Sequence, residues 1–522
     1  MALAGDLSLP VQGPLSVLPL EVIPRALFVE TARGPSSGEV PKVEGVTHTV
    51  NVSPMPTKHI IPIQLVNADP WEVSTLSDCR KLATDIIRRQ ERFDEAFFIC
   101  DLRDAEYKCR LWKKNLPRVT PFYAVKSNPD PLFTRTLFKY GVKFDCSNQR
   151  EIRFVLDNVP GAKGSDIVVS NTAKCRKDIK FGCDIGANLM TVDSVEELEK
   201  IVPFKNQALL LIRLQGSEHT SKITFNRKFG AGPELVTRIL RRCQQLGLNV
   251  VGTHFHVGLG FESPLIYDES IQRSKAVFDE AKKFGFHMNI LNLGGSFPGG
   301  VRKRKQFLQV AAVIEESLAR NFPIGCGVEV IAEPGQFFST SAWILCAKVV
   351  AVKDCVIDEG HAESSSTDLK GRMSRMQPVY KMFNQLSESH SEKHLQDAVD
   401  EGTVEDEHHI VRVRNVFLNE SRFNAIPRAT LPLLDLRYYR VEKDEELGNV
   451  GHPEPNAKTV LWGATCNPFD QIVEWDHAID LKCDQWILID NMGTYSRAFQ
   501  CGFNGFGTPP VYYIGHAGHH AA

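Results

Sequence analysis

The sequence predicts an α/β protein: a (β/α)₈ TIM-like barrel over residues 101–340, followed by a β-rich domain over 341–522. Three observations predict it. Short apolar, β-branched runs recur eight times between residues 121 and 331, and segments with helical spacing separate them. After residue 340 strand-like runs continue without long helices between them. Eightfold strand–helix alternation favours a closed parallel barrel over the alternative, an open doubly wound sheet.

Residues 1–70 are rich in Pro, Ser, Gly and Val and lack helical periodicity, so a mostly disordered extension is expected. Residues 71–100 carry Phe97-Phe98-Ile99, a run expected to join the later β-domain. The eight barrel runs are Pro121–Val125, Val142–Asp145, Ile167–Ser170, Leu189–Val192, Leu209–Arg213, Val250–Phe255, Ile290–Leu293 and Val328–Ile331. Pro233–Gln245 and Ser270–Lys283 show the apolar spacing of helices between them. In the β-domain, Ala347–Val352, Thr459–Trp462 and Trp486–Ile489 read as strands. The polar stretch 358–408 reads as an exposed insertion.

Composition excludes several classes. The chain has 522 residues, enough for two domains, with 43% hydrophobic and 24% charged residues and a formal net charge of -2. Basic residues are spread along it, which argues against nucleic acid as a partner. Thirteen cysteines without paired spacing fit reduced thiols. No apolar run is long enough to span a membrane, and Asp6, Pro10 and Pro14 interrupt anything resembling a signal peptide. A cytoplasmic location is expected.

Barrel enzymes carry their reactive groups at the C-terminal ends of the strands. Here the first run ends in Lys126, the second in Asp145, the fifth in Arg213 and the sixth at His256. The seventh runs into Gly294-Gly295-Ser296-Phe297-Pro298-Gly299-Gly300, and the eighth into Glu333-Pro334-Gly335. A lysine closing an apolar run suits a Schiff base, because burial lowers its pKa. The glycine loop lets backbone amides approach a phosphate. Glu333 facing a pyridine nitrogen would stabilise a protonated ring. His254 and His256 alternate on one strand face as zinc ligands do, but no Cys-x-x-Cys or His-Glu-x-x-His accompanies them, so no metal is expected. An aldehyde, a ring nitrogen and a phosphate together describe pyridoxal 5'-phosphate (PLP), an electron sink for carbanions.

The motifs resemble those of the eukaryotic ornithine decarboxylase family, which includes antizyme-inhibitor-like paralogues. Pro121–Lys126 resembles its PLP-lysine motif, Phe255–Gly258 the ring-stacking histidine strand, Gly294–Gly299 the phosphate loop and Ala332–Gly335 the pyridine-nitrogen glutamate. Trp462–Cys466 resembles the segment with the catalytic cysteine, and Asp490–Tyr495 with Phe503–Phe506 the C-terminal pocket. The resemblance runs in order over residues 75–515. It implies an alanine-racemase-like (fold type III) PLP barrel with a β-domain, and a head-to-tail homodimer with active sites at the interface. It further implies that Lys126 carries PLP, His256 stacks on its ring and Glu333 keeps the ring nitrogen protonated. Tyr495, Gly294, Gly295 and Ser296 would hold the phosphate, while Asp145 and Arg213 position Lys126 and its neighbours. Cys466 would return a proton after decarboxylation, in the partner's site. Asn467, Asp470 and Phe503 fall where the family binds substrate.

The departures lie at two ends of that pocket. Leu259 and Gln336 replace the family's phosphate-binding serine and arginine, and Ser296 replaces its third loop glycine. A charge-assisted hydrogen bond is worth about 1.5–3 kcal/mol, so losing the arginine alone weakens PLP by roughly 10- to 150-fold. Ser296 is expected to compensate in part with its hydroxyl. Asn467 replaces one of two acids that read ornithine's distal ammonium, and Ala429 aligns with the other. Glu420 and Asp470 lie nearby as substitutes. Three readings follow: an ornithine decarboxylase making putrescine for polyamine synthesis, a decarboxylase of a less basic amino acid, or an inactive antizyme-binding regulator. For the last, Lys174, Arg176, Lys177 and Lys180 fall where the family's basic docking surface lies. Retention of both Lys126 and Cys466 favours an enzyme.

Overall fold

A computed structural model of the chain describes residues 60–62, 74–89, 94–216, 221–358, 410–426, 435–443, 445–448 and 456–515. Eight parallel strands close into a barrel: Val119–Ala124, Lys143–Cys146, Ile167–Val169, Leu189–Val192, Leu209–Arg213, Asn249–His254, Ile290–Asn292 and Glu329–Ala332. Closure is direct, because Glu329–Ala332 pairs with Val119–Ala124 (Ala332 opposite Pro121). Each of the eight expected runs is a strand, shifted by a few residues at most at either end.

The strands alternate between two apolar environments. Phe122, Val168, Leu211, Val251 and Ile331 point inward and plug the barrel interior. Their neighbours Tyr123, Val169, Leu210, Val250 and Val330 point outward into the main core under the surrounding helices. The helices start where the sequence provides caps. Asp130 caps Pro131–Lys139 by accepting from Phe133 N, Asn148 caps Gln149–Asn158, and Ser194 caps Val195–Ile201. Gly247 ends Pro233–Leu246 in the left-handed conformation.

The β-domain is organised by the 16-residue strand Trp343–Asp358. Its first part pairs with Phe97–Asp101 on one side and Trp486–Ile489 on the other. Its second part pairs antiparallel with Ile410–Leu418, reaching Asp358 opposite Ile410. Ala457–Trp462 and Gln471–Trp475 extend the sheet. Phe97–Asp101 therefore joins the β-domain as expected. The insertion expected at 358–408 lies outside the described residues apart from Asp358, but the two strands that flank it are hydrogen-bonded partners.

Within residues 1–70 one short segment is described. Ile60–Pro62 forms a strand parallel to Val511–Gly515. Composition averaged over the stretch hid a β-branched pair able to extend an exposed sheet edge, where a proline is tolerated. The rest of 1–70 lies outside the described residues. All thirteen cysteines are free. Among the described residues no helix is long and apolar enough to cross a membrane.

Candidate active site

The first barrel strand gives way to a single 3-10 turn, Val125–Ser127, which lifts Lys126 onto the C-terminal rim. Lys126 Nζ lies 2.5 Å from Oδ2 of Asp145, at the end of the neighbouring strand. Asp145 is fully buried, while the Lys126 side chain is 41% exposed. Burial works against the Lys126 charge, but Asp145 and then Glu333 outweigh it and raise its pKa. Burial pushes the Asp145 carboxyl up, against the pull of Lys126.

His256 follows the sixth strand. Its Nδ1 accepts from Gly258 N at 3.1 Å, and its ring meets the edge of Phe225 at 4.9 Å. Burial, reinforced by Arg213, holds the imidazole well below its usual pKa. A neutral ring with its proton on Nε2 follows, offering a flat face to a ligand. Gly295 is needed beside it, since a Cβ there would stand 3.0 Å from His256 Nε2. Gly294 has φ +63°, and a Cβ would collide with Phe255 O. Arg213 lays its guanidinium over Phe229, 4.6 Å from the ring centroid. Burial lowers its pKa, opposed by Glu333, Asp193 and Asp145.

Glu333 is buried after the eighth strand. Asn292 Nδ2 donates to its Oε1 at 2.8 Å, and His254 Nε2 lies 3.2 Å from its Oε2. Burial works against its charge, but His254, then Lys126 and Asn292, outweigh it and hold the carboxyl below its usual range. Sequence reading missed both partners. His254 registered there only as a possible zinc ligand, and Asn292, which ends the seventh strand, satisfied the strand-end rule unnoticed.

The phosphate end is a cavity of about 390 Å³ lined by Leu259, Ser296, Gln336, Tyr495, Lys222 and Lys303. Tyr495, with φ +57°, donates its N–H to Ser127 O and stacks on Phe499. Ser296, with φ +73°, donates its hydroxyl to Gly258 O. Its single proton is spent there, so the compensation expected from that hydroxyl is not what the structure supports. Asn491 also lines the cavity, and its buried Oδ1 has no hydrogen-bond partner among the described residues. A lysine held by a buried aspartate, a flat neutral imidazole, an ionised glutamate and a glycine-floored polar cavity on one rim fit the parts of PLP.

The β-domain holds the other expected residues. Cys466 is exposed, and its N–H is bonded to Asn504 Oδ1 at 3.4 Å. Asn467 is half-buried, with Oδ1 accepting from Phe469 N. Phe503 is 43% exposed and packs against Phe423. Asp470 is buried, and its carboxylate accepts from Ser421 Oγ, Arg422 N and Thr465 N and Oγ1. It ties these loops together and is not open to a substrate, correcting the expectation for it. Glu420 is likewise buried, with hydrogen bonds to Ser421 N and Asn424 Nδ2. Ala429 lies outside the described residues. Lys174 is buried against Glu197 and Thr191 O, so of the four basic residues only Arg176, Lys177 and Lys180 are exposed.

Comparison with known proteins agrees with this geometry. Residues 102–340 match the family described as pyridoxal-dependent decarboxylase, pyridoxal binding domain. Ornithine decarboxylase of Mus musculus is 30% identical over 424 residues, 80% of each chain. Antizyme inhibitor 2 of Xenopus laevis is 31% identical over 440 residues, 83% of this chain and 84% of the relative. The arginine decarboxylase of Paramecium bursaria Chlorella virus superposes with a TM-score of 0.67 at 24% identity, over 83% of this chain and all of the other. The lysine/ornithine decarboxylase of Vibrio vulnificus complexed with putrescine gives 0.64 at 22%, over 84% and 98%. At these identities the two structures establish the fold.

Proposed function

The chain belongs to the ornithine decarboxylase family of pyridoxal-dependent decarboxylases, and from that premise we propose that it binds PLP on Lys126 and decarboxylates a small amino acid, with ornithine the first candidate. The observation that carries the reading is the Lys126–Asp145 pair at 2.5 Å, on the same rim as His256, Glu333 and the glycine loop. PLP, when bound, supplies the electron sink that decarboxylation needs.

The residues divide the remaining work. Asp145 orients the Lys126 amine and keeps it from wandering. His256 offers its neutral face to the cofactor ring. Glu333 stays ionised and holds a proton at the ring nitrogen. The glycine loop that begins at Gly294 and Gly295 carries Gly299 and Gly300 to the phosphate end, which they line with Tyr495, and Arg213 offsets the carboxylates around Lys126. Cys466 returns a proton to the reacting carbon. Because Cys466 is exposed beside the exposed aromatics Phe469 and Phe503, this step belongs to a homodimer in which Cys466 faces the partner's Lys126 site. A cytoplasmic setting suits thirteen free thiols.

The phosphate end favours a second reading. Leu259 and Gln336 offer no charge to a phosphate, which leaves Lys222 and Lys303 as the cations lining that cavity, and a relative named antizyme inhibitor 2 matches this chain as well as the decarboxylases do. On that reading the exposed Arg176, Lys177 and Lys180 belong to a docking surface for an antizyme. Borohydride reduction of the PLP-treated protein, followed by peptide mapping, separates the two. The decarboxylase reading expects the cofactor on the Lys126 peptide. An unmodified Lys126 at saturating PLP favours the regulator and directs attention to antizyme binding.

A further inference from the structure

One buried titratable side chain, a partner of Glu333, was given no share in the division of work above. His254 ends the sixth barrel strand, paired in register with Asn292 on the seventh, which in turn pairs with Ile331 on the eighth, two residues before Glu333. The three polar side chains thus meet at one level of the barrel across three adjacent strands. His254 is fully buried. Its Nε2 lies 3.2 Å from Glu333 Oε2, while Asn292 Nδ2 donates to Oε1. Its Nδ1 is buried and has no hydrogen-bond partner among the described residues.

That environment selects one form of the imidazole. Burial lowers its pKa, and the cations Arg213 and Lys126 add to the effect; Glu333 alone opposes it. A neutral imidazole has one N–H, and among the described residues Glu333 is the only hydrogen-bond partner that His254 has. The proton therefore resides on Nε2 and points at the carboxylate, leaving Nδ1 as a bare acceptor. An unpaired buried acceptor costs free energy. Its retention beside the group assigned to the cofactor's ring nitrogen points to a task for Nε2–H.

We propose that His254 is a positioning residue: as the neutral Nε2–H tautomer it donates to Glu333 Oε2 and, with Asn292 on Oε1, keeps the carboxylate ionised, so that a proton shared with the cofactor's ring nitrogen stays on nitrogen. The inference rests on the PLP reading. Each carboxylate oxygen has one fixed protein donor and keeps lone pairs for the ring. Removing a donor makes Glu333 a stronger base, and the shared proton moves towards it. The ring then draws electrons less well, which slows the chemical step rather than binding.

The test is the NMR resonance of the isotope-labelled ring nitrogen of PLP bound to wild type, His254→Leu and His254→Gln. His254→Leu fills the volume without a donor, and it should move the resonance towards neutral pyridine and lower kcat by about 10-fold with KM little changed. His254→Gln, whose amide can donate to Oε2, should restore most of both. Asn292→Leu removes the other donor and should move the resonance the same way, which covers the case that His254→Leu does not fold. PLP bound through Lys126 with an unshifted ring nitrogen in the donorless variants would overturn this inference alone. A wild-type protein that binds no PLP would overturn the decarboxylase reading and this inference together.

Discussion

Ser296 donates its hydroxyl proton to the carbonyl of Gly258, the residue just before Leu259. The two loops that frame the phosphate end are thereby tied to each other rather than turned to a ligand. Ser296→Ala should change PLP affinity by less than about 3-fold, since no donor is withdrawn from the phosphate. Gln336→Arg should behave oppositely. The cavity of about 390 Å³ leaves room for a guanidinium, and one charge-assisted bond should tighten PLP by roughly 10- to 150-fold. Titration of PLP absorbance in the three proteins checks both.

A site shared between two protomers has a separable signature. Lys126→Ala and Cys466→Ala should each abolish turnover as homodimers. Mixing the two variants places one intact Lys126 and one intact Cys466 at a single interface, so part of the activity should return. If mixing restores nothing although subunits exchange, Cys466 serves its own protomer or no catalytic site.

Glu420 sets a stability slope with pH. Burial pushes its carboxyl up to about 7 from an ordinary 4.5, against hydrogen bonds from Ser421, Asn424 and Ala425 and with added repulsion from Asp470. The folded state therefore keeps a proton that the unfolded chain has lost. The stabilisation is fully present below pH 4.5 and disappears as pH rises through 7, by on the order of 3 kcal/mol. The melting temperature of the wild type should fall across this window. Glu420→Gln, which imitates the protonated acid, should flatten that part of the profile.

Asn467 tests the substrate end. Its amide accepts from Phe469 N and offers no charge to a distal ammonium. Asn467→Asp should lower KM for ornithine by about 10-fold or more if a charge-assisted bond forms, and should leave a less basic substrate unaided. The ratio of kcat/KM for ornithine and leucine reads this directly.

Much of this was legible in the chain itself. Eight apolar runs at regular spacing dictate a barrel, and the strand-end rule singles out Lys126, Asp145, Arg213 and Glu333 without any contact information. What remained hidden depends on neighbours across strands. Alternation shows that His254 and His256 share a face, but the identity of the group opposite His254 follows only from the register with Asn292 and the approach of Glu333. Asp470 and Lys174 read as available charges, yet both are buried against local partners. Burial of a charge is set by loop packing, which no periodicity encodes. The cost of the Ser296 substitution was likewise invisible, because it depends on where a hydroxyl points.

The measurement that bears most directly on the central claim is release of carbon dioxide from carboxyl-labelled ornithine at saturating PLP, by wild type and by Lys126→Ala. Release by the wild type that is lost in the variant is the expected result. A folded wild-type protein that releases none from ornithine, lysine, arginine or leucine would contradict the decarboxylase assignment.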